Sequence, residues 1–145
     1  MTIPARPRSD VACLFGLPVR RETLAQAVDG VAELVSRGES AIHVVINAAK
    51  VSKMTRDPHF AAMIRGFDMI HADGSSVVWA SRILRDPLPE RVAGIDLMES
   101  LVALCAERGF RPYFLGAKRA VLERCVAALQ RRYPELVVAG MRDGY

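Results

Sequence analysis

An aspartate and an arginine eighteen positions apart carry the most specific chemistry in this sequence. Asp73 lies in Met69-Ile70-His71-Ala72-Asp73-Gly74-Ser75-Ser76-Val77-Val78-Trp79, and Arg91 lies in Glu90-Arg91-Val92. A reaction that moves a sugar off a nucleoside diphosphate has two electrostatic needs that such a pair meets. A carboxylate takes the proton of the attacking hydroxyl, and a cation balances the departing diphosphate. The chain has no Asp-x-Asp of the kind that would hold Mg²⁺ for the second task. Arginine then takes the metal's part, and neither a metal nor a cofactor is expected. The local sequence allows a plainer reading too, with Asp73 a helix cap or Asp-Gly turn residue and Arg91 a surface cation.

A weaker candidate is Gly116-Ala117-Lys118-Arg119. A glycine at a strand-to-helix turn followed by two cations can hold a phosphate through backbone amides and the helix dipole. A tight turn with solvated cations fits equally well. The further glycines of a dinucleotide-binding fingerprint are absent, which counts against a nicotinamide-dependent oxidoreductase.

These residues need elements to position them, and hydrophobic periodicity supplies the elements. A short strand is predicted over 11–17, closed by Pro18. Thr23-Leu24-Ala25-Gln26 has capping-box form, and apolar residues at helical spacing follow it as far as Gly38. The β-branched run 41–46 reads as a strand covered on both faces, ended by Asn47, whose side chain faces the same rim as Asp73. His43 inside it reads as a satisfied core or edge histidine. Asp57-Pro58 starts a helix as N-cap and first helical residue. Met69 to Ala72 is the third strand, and a helix over 75–84 follows the Asp73 corner. Asp96 is expected to cap the next helix, Tyr113-Phe114-Leu115 to form the fourth strand, and 136–139 the fifth. Strands alternating with helices predict an α/β fold with a mostly parallel, Rossmann-like sheet and helices on both faces. Asp73 would then stand at the carboxyl end of a strand, where open α/β sheets bind ligands. The fifth strand has no following helix, so the domain is expected to be truncated at its C-terminus, with self-association into a homo-oligomer as one way to cover it.

Composition bounds the rest. The 145 residues are half apolar and a quarter charged, with a net charge of +4, as in an ordinary globular domain. Residues 1–10 are expected to be a flexible tail and 11–145 the domain. Basic residues are scattered and do not alternate with aromatics, so nucleic acid is not the expected partner. Phosphorylated small molecules or an anionic membrane surface suit the excess charge better. No apolar run is long enough to span a bilayer and no secretory leader is apparent. Cys13, Cys105 and Cys125 match no metal spacing and read as buried, reduced thiols of a cytoplasmic protein.

Several blocks in order carry a family resemblance. They are Asn47-Ala48-Ala49-Lys50-Val51, Ala72-Asp73-Gly74 with Val77-Val78, and Glu90-Arg91-Val92-Ala93-Gly94-Ile95-Asp96-Leu97. Phe114-Leu115-Gly116-Ala117, Tyr133-Pro134, Val138-Ala139-Gly140 and Asp143-Gly144-Tyr145 continue the series. Together they resemble the N-terminal portion of the WecG/TagA/CpsF glycosyltransferases, from about residue 12 onward. The resemblance implies an inverting, metal-independent transferase of bacterial surface-polysaccharide synthesis. Its donor would be a UDP-linked N-acetylmannosamine-type sugar and its acceptor a polyprenyl-diphosphate-linked sugar, met at the inner face of the membrane. Carried across by motif, Asp73 is the general base and Arg91 stabilises the diphosphate. Asn47 and Gly74 bind substrate, Gly116 sits at the nucleotide-side loop, and Asp96 is a structural cap. Two departures stand out. Val45 occupies a place where some branches carry Thr, and a later pocket segment with a basic membrane-docking tail is not in this chain. The alternative is a catalytically silent, truncated nucleotide-sugar-binding module.

Overall fold

A computed structural model describes residues 10–145, and the tail expected over 1–10 lies, but for Asp10, outside the described residues. Two compact units divide the chain, one ending at Leu97 and the other running from Met98 to Tyr145. The described residues form a mixed α/β structure with six helices and three two-stranded sheets.

The first unit opens with a hairpin of β1 (Val11–Leu14) and β2 (Leu17–Arg20), paired antiparallel with Leu14 opposite Leu17. The turn residues Phe15 and Gly16 have φ of 55° and 72°. Positive φ at both central positions matches the right-handed twist of the flanking strands. The single strand expected over 11–17 is thus two, and Pro18 does not close a strand but sits inside β2 opposite Cys13. Ala12, Leu14, Leu17 and Val19 alternate inward and are fully buried, so one face of the hairpin is a core face. Helix α1 (Leu24–Arg37) follows, with the capping box closed at both ends: the Thr23 hydroxyl accepts from the Gln26 N–H, and the Gln26 side chain accepts from the Thr23 N–H.

Strands β3 (His43–Ile46) and β4 (Met69–Ala72) pair in parallel, His43 beside Met69 through Ile46 beside Ala72. Between them run α2 (Ala48–Arg56) and α3 (Pro58–Arg65), the latter capped by Asp57 as expected. All four residues of β4 are buried, and β2 packs against it. Helix α4 (Ser75–Ile83) leaves the β4 corner. Ile46, Ile70, Ala72, Val77 and Leu88 join the hairpin residues in one hydrophobic core. Helix α5 begins at Gly94 and ends at Arg108.

In the second unit β5 (Tyr113–Leu115) and β6 (Gly140–Arg142) pair in parallel, with α6 (Arg119–Arg132) between them in sequence. The last strand therefore starts after the expected 136–139 segment. Leu136 is buried and Ala139 donates to the Pro112 carbonyl at 2.9 Å, so that segment is an approach to the ladder. The cysteines also differ from expectation. Cys13 and Cys125 are exposed and Cys105 is half-buried, all as free thiols.

Candidate functional site

The parallel register decides what stands at the rim of the first unit. Ile46 pairs with Ala72, so the next residues, Asn47 and Asp73, leave the strand ends side by side. The Asp73 N–H adds one more rung by donating to the Ile46 carbonyl at 2.7 Å. Asn47 stays extended and turns its side-chain oxygen to the Lys50 N–H at 3.0 Å, capping α2. Gly74 has φ 121°, a backbone conformation that side-chain-bearing residues rarely adopt. A Cβ there would lie 3.9 Å from the Asn47 Cβ, so the two corners touch.

Asp73 does not cap α4. Gly74 occupies the N-cap position, and no side chain bonds to the first turn of that helix. The half-buried Asp73 carboxylate accepts no hydrogen bond and makes no ion pair among the described residues. An acidic side chain with no structural task thus stands beside the uncapped, positive end of a helix.

Arg91 reaches the same rim through its neighbour. The Val92 N–H donates to the Ala72 carbonyl at 2.9 Å, laying the 91–93 segment along the end of β4. A Cβ on Gly94 would come within 3.4 Å of Val45 Cγ2, so the chain then crosses close over β3. Several bonds hold this proline-containing loop. Leu24 N–H donates to Glu90 Oε1 at 2.6 Å, Arg21 pairs with Asp86 and donates to the Pro87 carbonyl at 2.8 Å, and Leu88 N–H donates to the buried Ser81 hydroxyl at 3.0 Å. Arg91 itself is exposed and pairs with Asp96 at 3.1 Å. That corrects the role expected for Asp96. Helix α5 already begins at Gly94, and Asp96 lies in its first turn, holding the guanidinium instead of serving as the N-cap. A shallow groove of about 260 Å³ opens beside Arg91, lined also by Ser75, Val78, Trp79, Arg82, Pro89 and Glu90.

Gly116 belongs to the second unit. Its N–H donates to the Arg142 carbonyl at 3.0 Å, extending the β5–β6 ladder by one rung. Lys118 takes the N-cap position of α6 without a side-chain cap bond. A cleft of about 190 Å³ adjoins this helix, lined by Arg119, Leu122, Glu123, Met141, Arg142 and Asp143. Among the described residues no three His, Cys, Asp or Glu side chains gather as a metal site.

The sequence reading missed one polar assembly. His71 is fully buried in β4. Its Nε2 lies 2.9 Å from Glu22 Oε2, and its Nδ1 lies 3.0 Å from His43 Nε2. Arg20 holds the other Glu22 oxygen at 2.8 Å. A carboxylate only accepts, so a neutral His71 donates from Nε2, and its Nδ1 then accepts from His43. Burial is the main force lowering both imidazoles, His43 to about 4, with His71 pushing His43 further down and Glu22 opposing. Both rings are therefore neutral near pH 7. His71 lies within an apolar run and its partner stands 49 residues earlier, so periodicity carries no trace of the pair.

The described residues are those of a mixed α/β protein, and its polar corner, glycine turn and arginine-bearing loop stand at the strand ends where open α/β sheets bind ligands. Comparison with known proteins makes the class specific. The Glycosyl transferase WecG/TagA/CpsF family model matches residues 12–145, and the chain belongs to that family. It is 30% identical over 111 residues to an N-acetylglucosaminyldiphosphoundecaprenol N-acetyl-beta-D-mannosaminyltransferase of Bacillus spizizenii, covering 77% of this chain and 43% of that protein. A Staphylococcus aureus protein of the same name is 28% identical over 141 residues, covering 96% of this chain and 56% of the relative. The chain thus spans about half the length of the curated relatives it matches.

Proposed function

We propose that this chain carries the catalytic rim of an inverting, metal-independent transferase that moves an N-acetylmannosamine-type sugar from UDP to a polyprenyl-diphosphate-linked sugar. The observation that carries the reading is the Asp73 carboxylate, which has no structural partner among the described residues, between the Asn47 corner and the Arg91 loop. The relatives' names state the N-acetylmannosaminyl group and the diphosphoundecaprenol-linked acceptor. In this mechanism Asp73 takes the proton of the acceptor hydroxyl as its oxygen attacks the anomeric carbon. The bond from that carbon to the UDP oxygen breaks on the opposite face, and the electron pair leaves with the diphosphate. Arg91 turns from Asp96 to meet that growing charge. The Asn47 carboxamide keeps its oxygen on the Lys50 amide and presents its NH₂ to substrate. Gly74 lets the chain approach the sugar closely, and Gly116 shapes the nucleotide-side loop.

Rossmann-like parallel strand pairs would seat the donor, and the lipid-linked acceptor would be met at a membrane surface. No helix among the described residues is long and apolar enough to cross a bilayer, so that meeting would be peripheral. The test is UDP release from UDP-N-acetylmannosamine in the presence of a lipid-diphosphate-linked N-acetylglucosamine. Release that is lost in Asp73→Asn, with the fold intact by circular dichroism, supports the enzyme. Saturable UDP-sugar binding without turnover would replace it with a silent nucleotide-sugar-binding module.

A further inference from the structure

Helix α4 turns an unusual face outward. Trp79 is 62% exposed, Ile83 is 77% exposed and Leu84, just past the helix end, is 54% exposed. Trp79 and Ile83 are four residues apart, one turn along the same face. Ser75, Val78, Trp79 and Arg82 recur at helical spacing and form one wall of the groove, while Pro89, Glu90 and Arg91 form the other. The Arg82 guanidinium lies 5.8 Å from the Trp79 ring centre and makes no ion pair among the described residues. Across the groove stands Arg91, held by Asp96. Glu90, the acidic lining residue, has one carboxylate oxygen engaged by the Leu24 amide. The groove therefore combines two guanidiniums with an indole, and Ile83, outside the lining, continues the exposed Trp79 face one turn further along α4.

From this arrangement we infer that the groove between α4 and the Pro89–Arg91 segment is the docking site for the prenyl diphosphate of a lipid-linked acceptor, with Arg82 binding its diphosphate and Trp79 and Ile83 its first isoprene units. The inference rests on the transferase reading and assigns the acceptor side of the same rim. Charge complementarity selects the occupant. Guanidinium groups match phosphate oxygens with directed donors, and an exposed apolar edge beside them matches a ligand that is polyanionic at one end and hydrocarbon at the other. An indole suits that junction, being apolar with a polar edge. A free nucleotide would leave Ile83 without a partner, and a neutral lipid would leave Arg82 without one.

Trp79 is the single tryptophan of the chain, so its emission reports on this groove alone. The experiment titrates the whole protein with farnesyl diphosphate, and with farnesol, inorganic diphosphate and UDP as separate arms. Farnesyl diphosphate is expected to blue-shift the emission saturably, with farnesol and inorganic diphosphate giving little change and any response to UDP, whose diphosphate is assigned to Arg91, persisting in Arg82→Ala. Arg82→Ala, at an exposed position, should weaken farnesyl diphosphate binding about tenfold, the loss of one charged hydrogen-bond donor, and Arg82→Lys should recover part of it. In the transfer assay Arg82→Ala and Trp79→Ala should raise the acceptor KM several-fold while leaving the donor KM unchanged. An unshifted emission, an equal farnesyl diphosphate response in Arg82→Ala, or a UDP response that Arg82→Ala weakens as much overturns the assignment. So does a response to phosphatidylglycerol vesicles with none to farnesyl diphosphate, which would make the surface a bilayer contact. Turnover with an unaltered acceptor KM in both variants sinks the groove and spares the transferase. Farnesyl diphosphate binding without any turnover does the reverse.

Discussion

The β3–β4 pair carries two polar clusters, and they are built to opposite specifications. Along the strands, His43 of β3 and His71 of β4 join Glu22, from the segment between β2 and α1, in a chain in which each contact is a hydrogen bond and the central ring is wholly buried. At the carboxyl ends, Asp73 stands with its carboxylate unengaged among the described residues, next to a helix terminus without a side-chain cap. Burying a polar group is tolerable only when its bonds are made, and the inner cluster obeys that rule fully. At the rim Asn47 and Arg91 have structural partners, in the Lys50 amide and Asp96, but the Asp73 carboxylate is not spent on structure. The difference teaches which polar residues to read as framework and which as function.

The sharpest way to break this contrast is to disable each cluster in turn. On the proposed mechanism Asp73→Asn should lower transfer by about 10²–10⁴-fold, the usual contribution of a general base, while the melting temperature stays within a degree or so of the parent. His71→Leu should do the opposite. It strands the Glu22 carboxylate and the His43 N–H, costing about 1–3 kcal/mol in urea unfolding, while KM values for the surviving folded enzyme change little. If Asp73→Asn instead destabilises as much as His71→Leu, the rim carboxylate is framework and the contrast fails.

Acid supplies a milder probe of the same distinction. Both imidazoles are lowered in the folded chain, His43 from 6.5 to about 4, chiefly by burial. The unfolded chain therefore binds protons that the folded one refuses as the pH falls through 6.5. The stability owed to neutral histidines is complete above that value and is lost progressively down to about 4. Unfolding midpoints at pH 7.5, 6 and 5 should fall in the parent and fall less steeply in a variant with both histidines replaced by apolar residues. Parallel curves for the two proteins would show that the inner cluster is not what acid attacks.

Much of the frame was legible because it depends on neighbours in sequence. The Thr23–Gln26 box, the Asp57-Pro58 start and the β4-to-α4 corner are local patterns with local causes. What escaped depends on partners far away or on backbone geometry. The hairpin turns at Phe15-Gly16, where nothing but a positive φ separates two strands that read as one. Helix α2 has only Val51 and Met54 as its inward residues, too few to announce a period, although Asn47 before two alanines is a capping signal in retrospect. β6 starts where β5 offers a ladder, after the apolar run that looked like the strand. Glu22 and His71 meet only because β2 packs on β4. At the candidate site, local sequence did not show which side chains are engaged. Asp96 passed for a cap and proved to be the partner of Arg91, and Asp73 passed equally well for a cap and proved not to be one.

Asn47 gives the finest test, because it alone belongs to both descriptions. Its oxygen is framework, bonded to the Lys50 amide at the start of α2, and its NH₂ is, on the proposed mechanism, rim. Asn47→Ala removes both and should cost about 1 kcal/mol of stability, the typical value of an N-cap, together with activity. Asn47→Ser separates them. A serine hydroxyl caps about as well as asparagine, so stability should change by no more than about 0.5 kcal/mol, yet it cannot place a donor where the carboxamide does. The serine variant should then melt like the parent and show a several-fold higher donor KM, measured by UDP release. Serine that restores stability and KM together would mean that Asn47 serves α2 alone, and the ligand rim would shrink to Asp73 and the Arg91 loop.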